Sequence, residues 1–314
     1  MSRLVSWPAV RASVLLLAFL AVRGLPGQPP PDASWEANAD LGRPTARTVD
    51  GLGAMQGASF RDGKIYLYGD VWDAKPRMGV IREYTAEYTP TGRVVWLRRG
   101  GKPLLIHPTG LTWHEQWGTF LGDTVNKKAI IYRLDWKRAW EDGDLDHAVL
   151  EIIDDDAAVN GCRPEFVSLE GKAYLATADY GDVHPEVRLY DPERMLARCR
   201  TSAPGVIAHR VLVGPFNQNL HWDAETGRLT CVQNVIAGRG WRLDVLDLAG
   251  AIADGRASGP GVRVRTLTFL PHDELEGYRP LGGGRGLFVT SGRKNNVVTG
   301  EVKTVTPRES RPQR

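Results

Sequence analysis

The sequence predicts an all-β fold, a five-bladed β-propeller with four strands per blade, on three observations. A strand-turn-strand unit recurs five times, its landmark residue falling at 57, 110, 165, 219 and 277, steps of 53, 55, 54 and 58. That period, with several strands in each unit, is the signature of propeller blades. A second repeat runs in phase with the first: Asp135, Asp191 and Asp247 follow one another at 56-residue steps. The fifth unit stops one strand short, and the segment 45–50, just before the first unit, can supply the missing outer strand and remove the open sheet edges.

Taken in order, the chain starts with Arg3 and Arg11 ahead of an apolar run, residues 14–22, that gives way to Arg23, Gly24 and a proline cluster at 29–31. This reads as a secretory signal, residues 1–24, cut after Gly24. The run is shorter than the roughly 20 apolar residues a spanning helix needs, and an uncleaved membrane anchor is the alternative. The expected location is outside the cytoplasm, periplasmic or extracellular. Residues 25–37 read as a Pro-rich linker, 38–306 as the propeller and 307–314 as a disordered tail whose Arg308, Arg311 and Arg314 are solvated. With 40 basic and 37 acidic residues spread along the chain, the net charge of +3 indicates no nucleic-acid partner. A hydrophobic content of 42% suits an ordinary globular core, and the chain reads as a monomer. Cys162, Cys199 and Cys231 match no zinc spacing; they read as buried thiols, with a single bridge as the alternative.

Each unit opens with an inner strand: 56–60, 109–113, 164–168, 218–222 and 276–280. A turn and a strongly apolar second strand follow, and Gly63, Gly171 and Gly227 stand where a hairpin requires positive φ. Third strands alternate at 128–134, 186–190 and 241–246, and fourth strands close the units at 93–97, 148–153, 208–213 and 262–267. The three in-phase aspartates end third strands and precede short helical stretches, so they read as helix N-caps, with Gly143 and Gly255 as stops. Residues 282–286, rich in glycine, form a turn and lack the Lys-Ser/Thr pair and helix of a phosphate loop. Residues 154–156, three aspartates in a row, read as a solvated turn.

In a propeller the start of each inner strand and the end of each second strand meet on one face around the central channel. The strand starts offer Gln56, His107, Arg163 with Glu165, Gln218 with Asn219, and Glu276 with Tyr278; the strand ends offer Asp70, Asp123, Asp179, Asn234 and Ser291. Polar side chains at the ends of buried strands are costly unless they find a partner or a ligand. His107 is a candidate general base or a structural hydrogen-bonder. Glu165 is a candidate cation ligand or proton donor, or else the ion-pair partner of Arg163. Asp70 and Asp123 end their strands in Gly-Asp and either bind a hard cation, with Glu165, Asn219 and Asn234 adding oxygens, or cap the next turn. His221 falls two residues beyond Asn219 and adds to the channel lining. Gln56, Asp70, Arg163, His221, Asn234 and Tyr278 are thus the expected ligand contacts, and no nucleophile elbow or redox pair is present.

On the opening His107-Pro-Thr-Gly-Leu111 and the repeated units between 51 and 305, the chain resembles β-propellers of the SMP-30/gluconolactonase-like, strictosidine-synthase-like and NHL-type sets, and among them bacterial propellers with the same HP-x-G-(L/I) opening. In the gluconolactonase-like enzymes a divalent cation in the channel is held by a Glu, an Asn and an Asp from different blades. The resemblance implies Glu165, Asn219 and Asp123 in those places, with calcium or another divalent cation between them. Two departures stand beside it: those enzymes have six blades, and their Asp lies in a Ser-Asp-Gly context absent here. Two functions follow as expectations. One is an exported propeller that binds a small molecule or a protein on its channel face. The other is a metal-dependent hydrolase of lactones or sugar esters, in which the cation polarises a carbonyl and His107 or Asp123 activates water.

Overall fold

The computed structural model describes residues 36–71, 73–125, 128–183, 185–235, 240–257, 262–269 and 273–305. The segment read from the sequence as a secretory signal, residues 25–35 of the one read as a linker, and the segment read as a tail lie outside them. Blade one is built from Ala54–Arg61, Lys64–Val71, Met78–Tyr84 and Pro90–Trp96, blade two from Pro108–His114, Gly118–Val125, Lys128–Leu134 and Val149–Asp154. Blade three uses Glu165–Leu169, Lys172–Ala178, Glu186–Tyr190 and Ile207–Leu212, and blade four Asn217–Asp223, Arg228–Val235, Gly240–Asp247 and Arg263–Phe269. Leu275–Gly282, Arg285–Thr290 and Val297–Val305 give the first three strands of blade five. The inner strands contact one another in ring order and blade five returns to blade one. The architecture is the five-bladed propeller that the repeats predict.

Closure uses the expected partners over a different length. The strand Glu36–Arg47 pairs antiparallel with Val297–Val305, with Thr45, Ala46 and Arg47 opposite Thr299, Val298 and Val297. Residues 48–50 take no part in it, while the strand starts nine residues earlier than 45, inside the segment read as a linker. At that end it also runs parallel to the outer strand of blade four, Glu36 to Asn38 against Thr266 to Thr268. Blades four and five therefore share one eight-stranded sheet. Two open edges are covered by a single strand.

Apolar residues fill the wedges between successive blades. Tyr66, Ile81, Val95, Leu121 and Tyr132 lie between blades one and two, and Leu175, Tyr190, Phe120 and Ile131 between two and three. Tyr174, Leu189, Leu220 and Leu229 occupy the next wedge, Trp241, Leu267 and Phe288 the fourth, and Met55, Leu67 and Val289 the last. Burying each such side chain contributes about 1.5–3 kcal/mol, so the ring is held by many apolar contacts rather than a few polar ones.

The helices Trp136–Asp142 and Pro192–Arg198 are capped as expected, Asp135 accepting from Arg138 N at 3.1 Å and Asp191 from Arg194 N at 3.2 Å. Asp247 holds the extended cap conformation before Leu248–Asp254 without a side-chain cap bond. Two sequence expectations are corrected. Cys199 is exposed, because it takes the left-handed position at the end of the second helix; Cys162 and Cys231 are buried thiols. Asp155 is buried rather than solvated, because the segment after that helix folds back over it. There Tyr190 Oη and Thr201 Oγ1 donate to its Oδ1 at 2.6 and 2.8 Å.

Candidate functional site

On the upper face, where inner strands begin and second strands end, the repeated acidic residues first of all hold backbone. Asp70 accepts from Ala54 N at 3.1 Å. Asp123 accepts from His107 N at 3.2 Å and Thr124 N at 2.9 Å. Asp179 accepts from Val159 N at 2.9 Å and Asn160 N at 3.2 Å, and Asn234 from Leu275 N of the next blade at 2.8 Å. Their remaining oxygens meet different surroundings. Asp70 pairs with Arg77 and faces His107 Nδ1 at 3.9 Å, and although burial pushes its carboxyl up, these neighbours outweigh it and hold the group below its ordinary value. Asp179 pairs with the buried Arg188. Asp123 is paired with no Arg or Lys among the described residues, and burial pushes it up to about 6 against the pull of the backbone amides and His107.

That shift has a sign. The Asp123 carboxyl is raised from 3.8 to about 6, so its contribution to stability is present in acid and is lost as pH rises through about 6. Asp123→Asn keeps the Oδ1 acceptor for His107 N and Thr124 N. It is expected to be more stable than the parent by about 1–3 kcal/mol at pH 8 and equal to it near pH 3.5. Parallel melting curves of the two proteins across that range would remove the argument.

Nearer the axis the upper face brings together Arg163, Gln218 and Glu276, with Glu274 and Tyr180 beside them. Gln218 Nε2 donates to Glu276 Oε1 at 3.4 Å, and the Arg163 guanidinium lies 5.3 Å from the Tyr180 ring centre and donates to Asn160 O at 3.4 Å. Glu276 and Arg163 are only 1% and 5% exposed. Burial, and then the Glu274 charge, push the Glu276 carboxyl well above its ordinary value, while Arg163 pulls it back. Gln56, at the start of blade one, is buried as well. Asp123 Oδ2, Arg163 Nε, Asn234 Nδ2 and Glu276 Oε2 are buried without a hydrogen-bond partner among the described residues. Unpaired buried polar atoms are uncommon in folded proteins, and four of them share this face.

The channel is closed below this cluster by Tyr68, which projects from the second strand of blade one across Gly57. A Cβ at Gly57 would collide with the Tyr68 hydroxyl and with Asn219 Nδ2. Asn219 Nδ2 donates to Tyr68 Oη at 2.8 Å and to Glu276 O at 3.1 Å, and the Leu111 amide faces the same phenol. Tyr68, 1% exposed, therefore ties blades one, two, four and five at the axis.

On the other side of Tyr68 lies a cavity of about 240 Å³ lined by Glu165, Asn219, His221, Tyr278 and Arg279 among others. Glu165 Oε1 accepts from Trp222 N at 3.1 Å. Burial raises its carboxyl to about 7, against the Trp222 amide and the Thr112 hydroxyl. Its partner is the blade-four backbone and not Arg163. Burial, reinforced by the Arg279 charge, lowers His221 to about 4, so the imidazole is neutral at pH 7.

The structure thus divides the sequence-derived candidates into two sets. Gln56, Asp70, His107, Asp123, Arg163 and Asn234 belong to the upper face, Glu165, His221 and Tyr278 to the lower cavity, and Asn219 sits at the partition. Glu165, Asn219 and Asp123 do not converge. Asn219 Oδ1 accepts from Leu220 N at 2.8 Å, while Thr112, beside Glu165, is four residues along its strand from Pro108, the partner of Asp123, roughly 13 Å by strand rise. Among the described residues no group of three His, Cys, Asp or Glu side chains is placed to hold a metal. Tyr68, Glu274 and Arg279 are the residues that sequence reading missed. The signal for Tyr68 was Gly57, a side-chain-free position where blades three and four carry Glu165 and Asn219.

No family model matches the chain, and no curated protein does. Among solved structures it is similar to PQQ-bound aldose sugar dehydrogenase from Streptomyces coelicolor, at 14% identity over 86% of this chain and 100% of that one, with a TM-score of 0.50. It is also similar to hydrazine synthase from Kuenenia stuttgartiensis (12% identity, 78% of this chain, 58% of that one, TM-score 0.42) and to a structure described as a gluconolactonase (14%, 59%, 58%, 0.36). The chain spans less than two thirds of the length of these last two. At such identities the likeness concerns the fold alone.

Proposed function

We propose that the protein is an exported, monomeric propeller that binds a small polar organic molecule on its upper channel face. The observation that carries this reading is the group of buried polar atoms without protein partners there: Asp123 Oδ2, Arg163 Nε, Asn234 Nδ2 and Glu276 Oε2. They lie below the surface, at a depth that the flat surface of a folded partner does not reach. Arg163 supplies a charge and donors, Gln218 and Asn234 supply amides, and Glu276 supplies a carboxyl whose Oε1 accepts from Gln218 and whose Oε2 has no partner among the described residues. Support for export comes from the Arg-flanked apolar run at 14–22.

A thermal-shift panel of neutral and anionic sugars and lactones tests the site. A ligand present at 100 times its Kd stabilises by about 2.7 kcal/mol, and a hit is expected to lose at least tenfold in affinity in both Glu276→Gln and Arg163→Gln. Hits that shift both variants as they shift the parent would overturn the assignment. Metal-dependent hydrolysis, the second reading, has no converging set of three His, Cys, Asp or Glu donors among the described residues. Calcium is expected to leave the melting temperature unchanged; a calcium-dependent rise abolished by Asp123→Ala would restore that reading.

A further inference from the structure

We propose that the lower cavity is a second, separate binding site and that it takes a small hydroxylated organic carboxylate, held through Arg279. The cavity measures about 240 Å³, and none of Arg163, Gln218 and Glu276 of the upper cluster lines it. Arg279 is half-buried in its wall. Its guanidinium lies 4.0 Å from the ring centre of Phe60, so one face is stacked while the in-plane N–H groups stay available. No carboxylate pairs with it among the described residues. A neighbouring cation, Arg61, stacks at 4.2 Å on Trp113 and is already paired with Asp62 at 3.3 Å.

None of the other groups around Arg279 pairs with its guanidinium among the described residues. His221 is neutral, and its proton is disfavoured by burial and by Arg279 itself. Glu165 is protonated in about half of the molecules near neutral pH, and its oxygen is already directed at Trp222 N. A half-enclosed guanidinium without a counter-charge is matched by a carboxylate, which accepts two parallel N–H bonds from its fork. The remaining polar groups of the wall, Ser59, His221 and Tyr278, are neutral donors and acceptors of the kind that hydroxyls engage. The volume holds a ligand smaller than the usual drug-sized molecule.

The test is calorimetric titration of the full chain with glucuronate, and with glucose as the neutral molecule of nearly the same shape. Glucuronate is expected to bind at least tenfold more tightly than glucose, and Arg279→Gln to remove that difference. Arg279→Lys, which keeps the charge and loses the fork, should retain only part of it. Circular dichroism melts of both variants establish that they are folded. Equal binding of the two sugars to the parent, or a glucuronate preference that survives in folded Arg279→Gln, would overturn the proposal. Loss of upper-face binding in Glu276→Gln leaves this result standing, because the two sites share none of the substituted residues.

Discussion

Arg188→Met is expected to destabilise the protein by about 3–5 kcal/mol at neutral pH, the usual consequence of removing one partner from a buried ionic group. Arg188 is completely buried, joins Asp179 through both of its terminal nitrogens, lies 3.2 Å from Glu186, and donates from Nε to Tyr190 Oη at 2.7 Å. Tyr190 passes the interaction to Asp155 at 2.6 Å, a carboxylate that burial alone pushes above its ordinary range and that the Arg188 charge pulls down. Without the guanidinium, two buried carboxylates lose the cation they share. The loss should therefore shrink as pH falls and those groups take up protons, since acid removes the uncompensated charge. Adding Asp179→Asn to the variant keeps the acceptor for Val159 N and Asn160 N and should recover a large part of the stability. Denaturant unfolding at pH 8 and pH 5 measures both effects. A loss below 1 kcal/mol, or one that is equal at the two pH values, would show that Arg188 acts only by filling space.

The repeats made the ring legible because blade-forming strands obey local rules: alternation, a glycine in the hairpin, an aspartate before the helix. Those rules are satisfied within one unit, so five copies of the pattern give five blades. The length of the closing strand was less legible. Residues 36–38 contain no strong strand pattern, and they pair because blade four and blade five leave two adjacent edges for them to cover. The candidate site was legible by position and not by partner. Counting along each unit correctly brought Asp70, Asp123, Asp179 and Asn234 to corresponding places, but whether each meets a cation depends on other strands. Arg188 stands nine residues from Asp179, and among the described residues no guanidinium pairs with Asp123. The division of the channel was not legible at all, because Tyr68 looks like one more apolar residue of a second strand until the glycine opposite it is seen in register.

That division gives the last result to expect. Tyr68→Ala should cost about 3–5 kcal/mol, the range for deleting a buried aromatic side chain, and Tyr68→Phe about 1–2 kcal/mol, because Asn219 Nδ2 and the Leu111 amide would face a carbon edge instead of an oxygen. Gly57→Ala on its own should be nearly as damaging as Tyr68→Ala, since its Cβ would occupy the space of the phenol. The two substitutions together should then cost less than their sum, because the clash with the phenol is gone while that with Asn219 Nδ2 and the backbone strain at residue 57 remain; a coupling of at least about 1 kcal/mol is expected for residues in such contact. Unfolding measurements on the parent, the two single variants and the double variant close the cycle. Strict additivity would mean that Gly57 is glycine for some reason other than Tyr68, and the case for a partition built at the axis would fail. If the coupling is found, the same double variant joins the upper cluster to the lower cavity, and glucuronate binding in it should depend on the upper-face residues in a way that the parent's does not.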